Sequence, residues 1–523
     1  MEQVLRIPEV VRTICSNLNT ASNRRMALTC RSFLEPALDE LWRTLRSFQS
    51  LVDVLPSDLW TVDLLPPPDP AVSDMELRVL YPARVVTPED LKRYTEYYSR
   101  RIRTFAYGER SVHNQVFFSI EALQTLQLAT QGTPGALSPL LTTFVWPLED
   151  LVDPYLDTDS LKQLAPYMFL FLGEQVTSLS FTTNRKLGPV YIASIHSASL
   201  QLSKLKSLTV RDRFTPPSIF SIDYLARRAW NTLEEVDIAY VSSPALVPLL
   251  ATLPLLRRIT LNMVEVPLPN HPPTNQEPFF PSLKEIDLSF DGLDPFLTFM
   301  LYVPLKNRTT MLHFLSHSQL SLPDAQKVVS TIARHTHPLT LESLECVASS
   351  RITDESEADL DIEDVNASVD IFPLFDFAKL TELRLILPDA LQVTPLILSR
   401  IPHAYPKLQR LQMLGLSLPF YVPTRITHEH VLDLLDGCPN LLSLALQFDT
   451  ERVTGQECKG KAYGLQDWGV YDSPIYSPSR VLSFIQAGFP HLVWLTSSHL
   501  EPHGAFKRRW DAVIDGLSLL HVL

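Results

Sequence analysis

Glycine is scarce in this chain: 15 among 523 residues, about 3% where ~7% is ordinary. So few glycines leave little material for backbone cradles around phosphate. Cysteine is scarcer still. Cys15, Cys30, Cys346, Cys438 and Cys458 are odd in number, widely spaced and without a C-x-x-C pair, which argues against a disulfide framework and for reduced thiols inside a cell. Long apolar runs are missing too: Ser242 to Leu256, the longest uncharged one, is too short for a bilayer and is broken by Pro244, Pro248 and Pro254. No membrane span is expected. Glu2, Arg6, Glu9 and Arg12 leave no apolar core for a signal peptide, so secretion is not expected either. Positive charge is in deficit, with 45 Lys and Arg against 58 Asp and Glu and a net charge of -13. Nucleic-acid affinity comes largely from clustered cations, so a protein is the default partner.

What the chain does have is length and apolar content. At 523 residues it is several domains or one elongated array, and 45% hydrophobic with 20% charged residues is the composition of a folded protein. The 42 prolines, about 8%, punctuate it heavily.

In LRIPEVVRTICSNL, residues Ile7, Val10, Val11, Ile14 and Leu18 repeat at the spacing of one helical face, and Pro8 suits a first helical turn. The polar stretch NTASNRR is expected to end this helix. MALTCRSFLEPALDELWRTL then supplies two more, with Pro36 opening the last and Leu38, Leu41, Trp42 and Leu45 forming its buried stripe. Three short helices bury too little surface to stand alone, so they need something to lean on. The run resembles an F-box: Ile7-Pro8 at the start, an amphipathic helix from Val10 to Leu18, Cys30-Arg31 ahead of Phe33, and a closing Leu41-Trp42. It departs from that family in Ile7, where leucine is usual, and in a short Asn-rich first loop. The resemblance implies docking on a Skp-type adaptor, itself joined to a cullin and a RING subunit that carry ubiquitin-conjugation activity. Ile7, Pro8, Val10, Ile14, Leu18, Cys30 and Leu41 are by resemblance the contact or core positions. The plainer alternative is a helical bundle that caps whatever follows.

After residue 48 the sequence predicts a stiff connection marked by Pro66 to Pro68 and Pro70, then a helix from Pro88 with Leu91, Tyr94 and Tyr98 on one side. Residues 49–100 are therefore read as a Pro-rich linker and capping helix, and 101–523 as a repeat array. The repeat is apolar-x-x-apolar-x-apolar, as in VTSLSF, LKSLTV, LEEVDI and LRRITL. Starts at Val176, Leu205, Leu233, Leu256 and Leu283 are about 29, 28, 23 and 27 residues apart, in or near the range of 20 to 29 for leucine-rich repeats. Further units start at Leu341, Leu380, Leu408 and Leu441, a degenerate one lies at Met311 and Phe314, and weaker outer ones start at Ile102, Leu141 and Leu492. The wide gap after Leu441 is assigned to an insertion. Each unit would supply a short strand with alternate side chains inward, and stacked units share one core. The fold class expected is α/β: a leucine-rich-repeat solenoid, or horseshoe, with a parallel concave sheet and convex helices. The usual Asn after each strand is mostly missing. This resembles the irregular repeats of F-box leucine-rich-repeat proteins.

Candidate chemistry is thin. GQECKGKA spells most of a P-loop, but Ala462 stands where Ser or Thr must meet Mg²⁺. Asp359, Asp361, Glu363 and Asp370 have calcium-loop spacing, yet Asp364 occupies the glycine position, so the acidic run near 353–370 is read as an insertion. His428 and His430 flank Glu429 at an expected helix start, where both are read as exposed, and no third zinc ligand follows. His313 and His317 fall around a strand. Trp494 and Trp510 are expected in a terminal cap. No metal, cofactor or catalytic group is expected, and the chain is not read as an enzyme. Binding is expected instead from outward strand positions: Arg211, Glu235, Asp237, Arg258, Thr260, Glu285, Asp287, Glu345, Arg384, Arg410 and Gln412, whose signs alternate and suit a charge-complementary protein. The function expected is a substrate adaptor of an SCF-type ubiquitin ligase, cytoplasmic or nuclear, with a repeat scaffold unconnected with ubiquitin as the alternative.

Overall fold

The structure is a computed structural model that describes residues 7–65, 77–106, 116–146, 163–183, 202–212, 231–239, 241, 245–264, 279–349, 368–388, 390–415, 425–458, 460–471, 473–497 and 504–518. It divides into two units, Met1–Leu256 and Arg257–Leu523.

The first unit opens with three helices: α1 (Pro8–Ser16), α2 (Thr20–Ala27) and α3 (Arg31–Leu41). Val11, Cys15 and Ala37 form their core, with Met26, Ala27 and Phe33 packed against it. Two expectations need correction. NTASNRR is not a loop, because the Asn19 side chain accepts the Ser22 N–H at 2.8 Å and so starts α2 inside the polar stretch. Pro36 does not open a helix but lies inside α3; proline removes one helical hydrogen bond, and the packing of α3 against both other helices outweighs that loss.

Next come β1 (Thr44–Leu45), α4 (Gln49–Val52), β2 (Trp60–Leu65), β3 (Leu77–Pro82), α5 (Pro88–Tyr97), β4 (Thr104–Ala106), β5 (Val116–Phe118), α6 (Ile120–Ala129), β6 (Thr143–Trp146), β7 (Ser178–Thr183), β8 (Ser207–Asp212), β9 (Glu235–Ile238) and α7 (Leu246–Ala251). Strands β1, β4, β6, β7, β8 and β9 are laid down in that order, all parallel. A second sheet places β3 between antiparallel β2 and parallel β5. Residues 49–100 thus hold strands as well as the foreseen helix, whose Leu91 and Tyr94 are buried.

The helices join the sheet by direct packing. Leu45 of β1 pairs in register with Phe105, and the Phe48 ring lies 5.8 Å from Phe105 and 4.9 Å from Phe118. Trp42 stands 4.5 Å from Tyr98, and Arg101 reaches Glu35 at 2.5 Å and also Asp39, both on α3. Pro66 to Pro68 and Pro70 lie outside the described residues.

The second unit holds β10 (Arg258–Val264), β11 (Glu285–Phe290), α8 (Asp294–Met300), β12 (Met311–Ser316), α9 (Leu322–His335), β13 (Ser343–Ala348), β14 (Glu382–Ile386), α10 (Pro395–Ala404), β15 (Arg410–Leu414), α11 (His428–Gly437), β16 (Ser443–Leu446), β17 (Asp467–Gly469), α12 (Pro478–Gly488), β18 (Trp494–Thr496) and α13 (Ala505–Ser518). Strands β10 to β18 follow one another in order, each parallel to the next. Ile259, Ile286, Leu312, Leu344, Leu383, Leu411, Leu444 and Trp468 stand side by side as one buried row. Leu261, Leu288, Phe314, Cys346, Leu385, Met413 and Leu446 make the next. One repeat could not bury both rows, whereas stacked neighbours do, and this is the leucine-rich-repeat solenoid that the spacing predicts.

The gap after Leu441 is not an insertion. It contains a full unit whose Leu465, Trp468 and Val470 keep the apolar-x-x-apolar-x-apolar spacing and are buried, giving β17. The acidic run from Asp354 to Asp364 lies outside the described residues.

Candidate functional site

Two surfaces follow from this architecture. On the N-terminal helices, apolar side chains remain exposed although a core was available: Leu28 is 86% exposed, Ile7 45% and Leu34 36%. Of the seven positions singled out in the sequence, Ile7, Pro8 and Cys30 are exposed, and Val10, Ile14, Leu18 and Leu41 are half-buried. Sequence reasoning missed Leu28 and Leu34. Leu28 caps the C-terminus of α2 and Leu34 follows Phe33 on α3, so neither carries a periodic signal of its own. The Ser32 hydroxyl, 2.9 Å from the Cys30 sulfur, holds that exposed thiol below its usual range, whereas burial pushes the Cys346 thiol up to about 12. All five cysteines are free.

The second surface is the solvent side of the second unit's sheet. Just ahead of the first buried row, Arg258, Glu285, Met311, Ser343, Glu382, Arg410, Ser443, Asp467 and Trp494 stand in register. The row beside it carries Thr260, Asp287, His313, Glu345, Arg384, Gln412, Ala445, Gly469 and Thr496. Many of these charges pair with each other across neighbouring strands: Arg258 with Glu285 at 3.5 Å, Arg384 with Glu345 at 2.6 Å, and Arg410 with Glu382 at 3.1 Å. Alternating sign along the array is therefore partly internal. Exposed pairs of this kind contribute little stability, so their main effect is to fix where each charge sits.

In the first unit the same side is poorer in charge. Thr143, Ser178, Ser207 and Glu235 form one row, and Val145, Ser180, Thr209 and Asp237 the next. Arg211 extends from β8 opposite Thr182.

Asp287 stands apart from the paired charges. It is half-buried, and its carboxylate makes no hydrogen bond or ion pair among the described residues. Burial pushes its carboxyl above the ordinary range and the Glu345 charge adds to this, while His313 and Arg258 oppose it. A carboxyl that binds its proton more tightly in the fold than in the unfolded chain makes stability fall as pH rises from the ordinary carboxylate range through the raised value. Asp287→Asn is therefore expected to raise the thermal unfolding midpoint at neutral pH. The gain should shrink to nothing as pH falls below the ordinary range, which a melting series across pH would show; a gain unchanged in acid would contradict it.

The other sequence candidates serve structure. His313 Nε2 lies 3.1 Å from the Ser343 hydroxyl and His317 Nε2 lies 2.7 Å from that of Ser289. His428 is buried against Phe484 rather than exposed, because it occupies the inner face of α11, and His430 Nδ1 accepts the Thr427 N–H at 3.1 Å as a cap. In the P-loop-like segment the Gly455 N–H donates to the Glu457 carboxylate at 3.0 Å, so the loop fills its own anion site. Lys461 pairs with Asp436. Asp370 is exposed and its carboxylate accepts the Phe372 N–H at 2.9 Å. Asp359, Asp361 and Glu363 lie outside the described residues. Among the described residues no group of three His, Cys, Asp or Glu side chains is gathered to hold a metal, and no helix is long and apolar enough to cross a membrane. Trp510 is fully buried, its indole N–H donating to the Ser473 carbonyl at 2.8 Å, whereas Trp494 is 67% exposed. The expectation of burial thus fails for Trp494, which opens a three-residue strand on the side of the sheet that faces solvent.

No protein-family model matches the chain, and no curated protein sequence does. Among solved structures it is similar to an internalin (inlF) of Listeria monocytogenes str. 4b F2365, at 14% identity and a TM-score of 0.37, over 80% of this chain and 91% of that one. It is also similar to the Rad7 and Elc1 complex of yeast, at 12% identity and a TM-score of 0.35, over 80% of this chain and 83% of that one.

Proposed function

We propose that this protein is a non-enzymatic substrate adaptor of an SCF-type ubiquitin ligase, acting in cytoplasm or nucleus. Its F-box-like helices dock on a Skp-type adaptor, and the solvent side of its sheet holds a target protein. The observation that carries this is a combination: Leu28, Ile7 and Leu34 stay exposed on helices that are otherwise clamped to the repeats through Trp42, Phe48 and Arg101. Capping the array needs the clamp but gives no reason for exposed leucines. A docking segment needs both, because the clamp holds the docked adaptor firmly against the first repeats. Turnover would then come from effective concentration: a target held near a charged conjugating enzyme meets it as an intramolecular partner. No side-chain chemistry is asked of this chain.

The direct test mixes the purified full chain with a purified Skp-type adaptor on a sizing column. Co-elution at equal stoichiometry is expected. Separate elution at micromolar concentrations would reject the ligase role and leave a leucine-rich-repeat interaction scaffold without a ubiquitin connection.

A further inference from the structure

Where β16, β17 and β18 meet on the solvent side of the sheet, one carboxylate without a counter-ion among the described residues neighbours two aromatic residues. Parallel register sets Asp467 directly beside Trp494, at the ~4.8 Å spacing of neighbouring strands. The Asp467 carboxylate accepts the Ser443 hydroxyl at 3.2 Å and meets no cation among the described residues. That sets it apart within its own row, where Glu285 and Glu382 each have an arginine.

Tyr471 completes the arrangement. In the adjoining row Ala445 and Gly469 leave a trough, and the Tyr471 ring lies in it: a Cβ on Gly469 would sit 2.9 Å from Tyr471 Cε2 and 3.2 Å from the Ala445 Cβ. Tyr471 adopts a φ of 45°, which L residues with bulky side chains rarely take. The Gln412 amide, donating to the Tyr471 hydroxyl at 2.6 Å, fixes it there. Burial raises the hydroxyl's pKa, Arg384 opposes, and the Asp467 charge adds to the rise, which marks carboxylate and phenol as electrostatic neighbours.

We infer that this corner of the sheet is a cradle for one lysine or arginine side chain, presented by an extended segment of the target protein. The inference rests on the proposal that this side of the sheet holds the target, and it names the feature of the target that is read. A cation gains from the indole face and the carboxylate together, and an exposed Trp beside a Tyr has the composition of an interface anchor. An anion would be repelled by Asp467, and a wholly apolar side chain would bury that carboxylate unpaired. Trp494 contributes nothing to the buried rows, so its exposure has no structural cause of its own.

Random dodecapeptides displayed on phage and panned against the full chain provide the test. Enriched peptides should share a lysine or arginine, and synthetic copies should lose at least tenfold in affinity when that residue becomes glutamine. The same loss is expected against Asp467→Asn and Trp494→Ala, with Trp494→Phe retaining most of the binding. Glu429→Gln, an exposed carboxylate on α11, should change nothing; an equal loss there would mean attraction to net negative charge and overturn the cradle. It is also overturned if no basic peptide is enriched, or if Asp467→Asn and Trp494→Ala bind as the parent does. In that last case peptides that still depend on Arg384, tested as Arg384→Glu, leave the target-holding face standing, whereas indifference to all three substitutions removes both.

Discussion

Replacing Leu28 and Leu34 together by aspartate is expected to abolish capture of a Skp-type adaptor while the chain stays folded. Neither leucine belongs to the helical core, which is built from Val11, Cys15 and Ala37 with Met26, Ala27 and Phe33. Leu28 in particular is 86% exposed, so the fold loses little when it changes. A docked surface would lose much more. Burying a leucine contributes about 1.5 to 3 kcal/mol, so two removed anchors weaken binding by about 3 to 6 kcal/mol, more than about a hundredfold. Two carboxylates placed in a dry interface add a desolvation cost in the same direction. Ile14 and Leu18 would be poorer choices, because both are half-buried within the bundle and their replacement mixes unfolding with undocking. The measurement is a pull-down with the adaptor alongside thermal melts of both proteins. Retained capture with an unchanged melt would show that these helices are not the docking surface.

How far such surfaces could be read in the sequence depends on whether the determining contact is local. The repeat was legible because each strand announces itself within six residues: LRRITL became β10 and even the degenerate MLHFLS became β12, since two inward side chains per strand are all that a stacked core requires. LQDWGV is harder to recognise because a tryptophan replaces the aliphatic residue at its first inward strand position, although the inward positions are the same. The outward charges are legible as residues, but their partners are not. Glu382 meets Arg410 only through parallel register between strands 28 residues apart, a spacing with no signature along the chain. Leu28 shows the opposite difficulty: a leucine looks the same in sequence whether the fold covers it or leaves it open. The helix boundary at Pro36 is illegible for a related reason, as proline forbids a hydrogen bond locally while the packing that overrides it comes from α1 and α2.

Trp468→Ala should be the most destabilising substitution considered in the second unit, with an expected loss of about 3 to 5 kcal/mol. The indole is fully buried in the row that also contains Leu444. It stacks on Phe448 at 5.3 Å, tilts against Phe489 at 4.8 Å and meets the edge of Phe484 at 6.3 Å. Phe448 in turn meets Trp510 of α13 at 6.4 Å, so the cavity left by the indole would undermine the packing of the closing helix as well. In a solenoid each repeat is held only by its neighbours, so the damage should appear first as cleavage of the segment after β16, with β10 to β15 protected for longer. Limited proteolysis read by mass spectrometry, together with thermal melts, would show this; a variant that melts and cleaves like the parent would mean that the aromatic stack holds nothing together. Trp494→Ala, one strand further on, supplies the control. That indole touches solvent instead of the stack, and a surface change of this kind usually costs within about 0.5 kcal/mol. The two tryptophans thus separate stability from recognition: losing the first should remove fold and peptide binding together, and losing the second should remove binding alone.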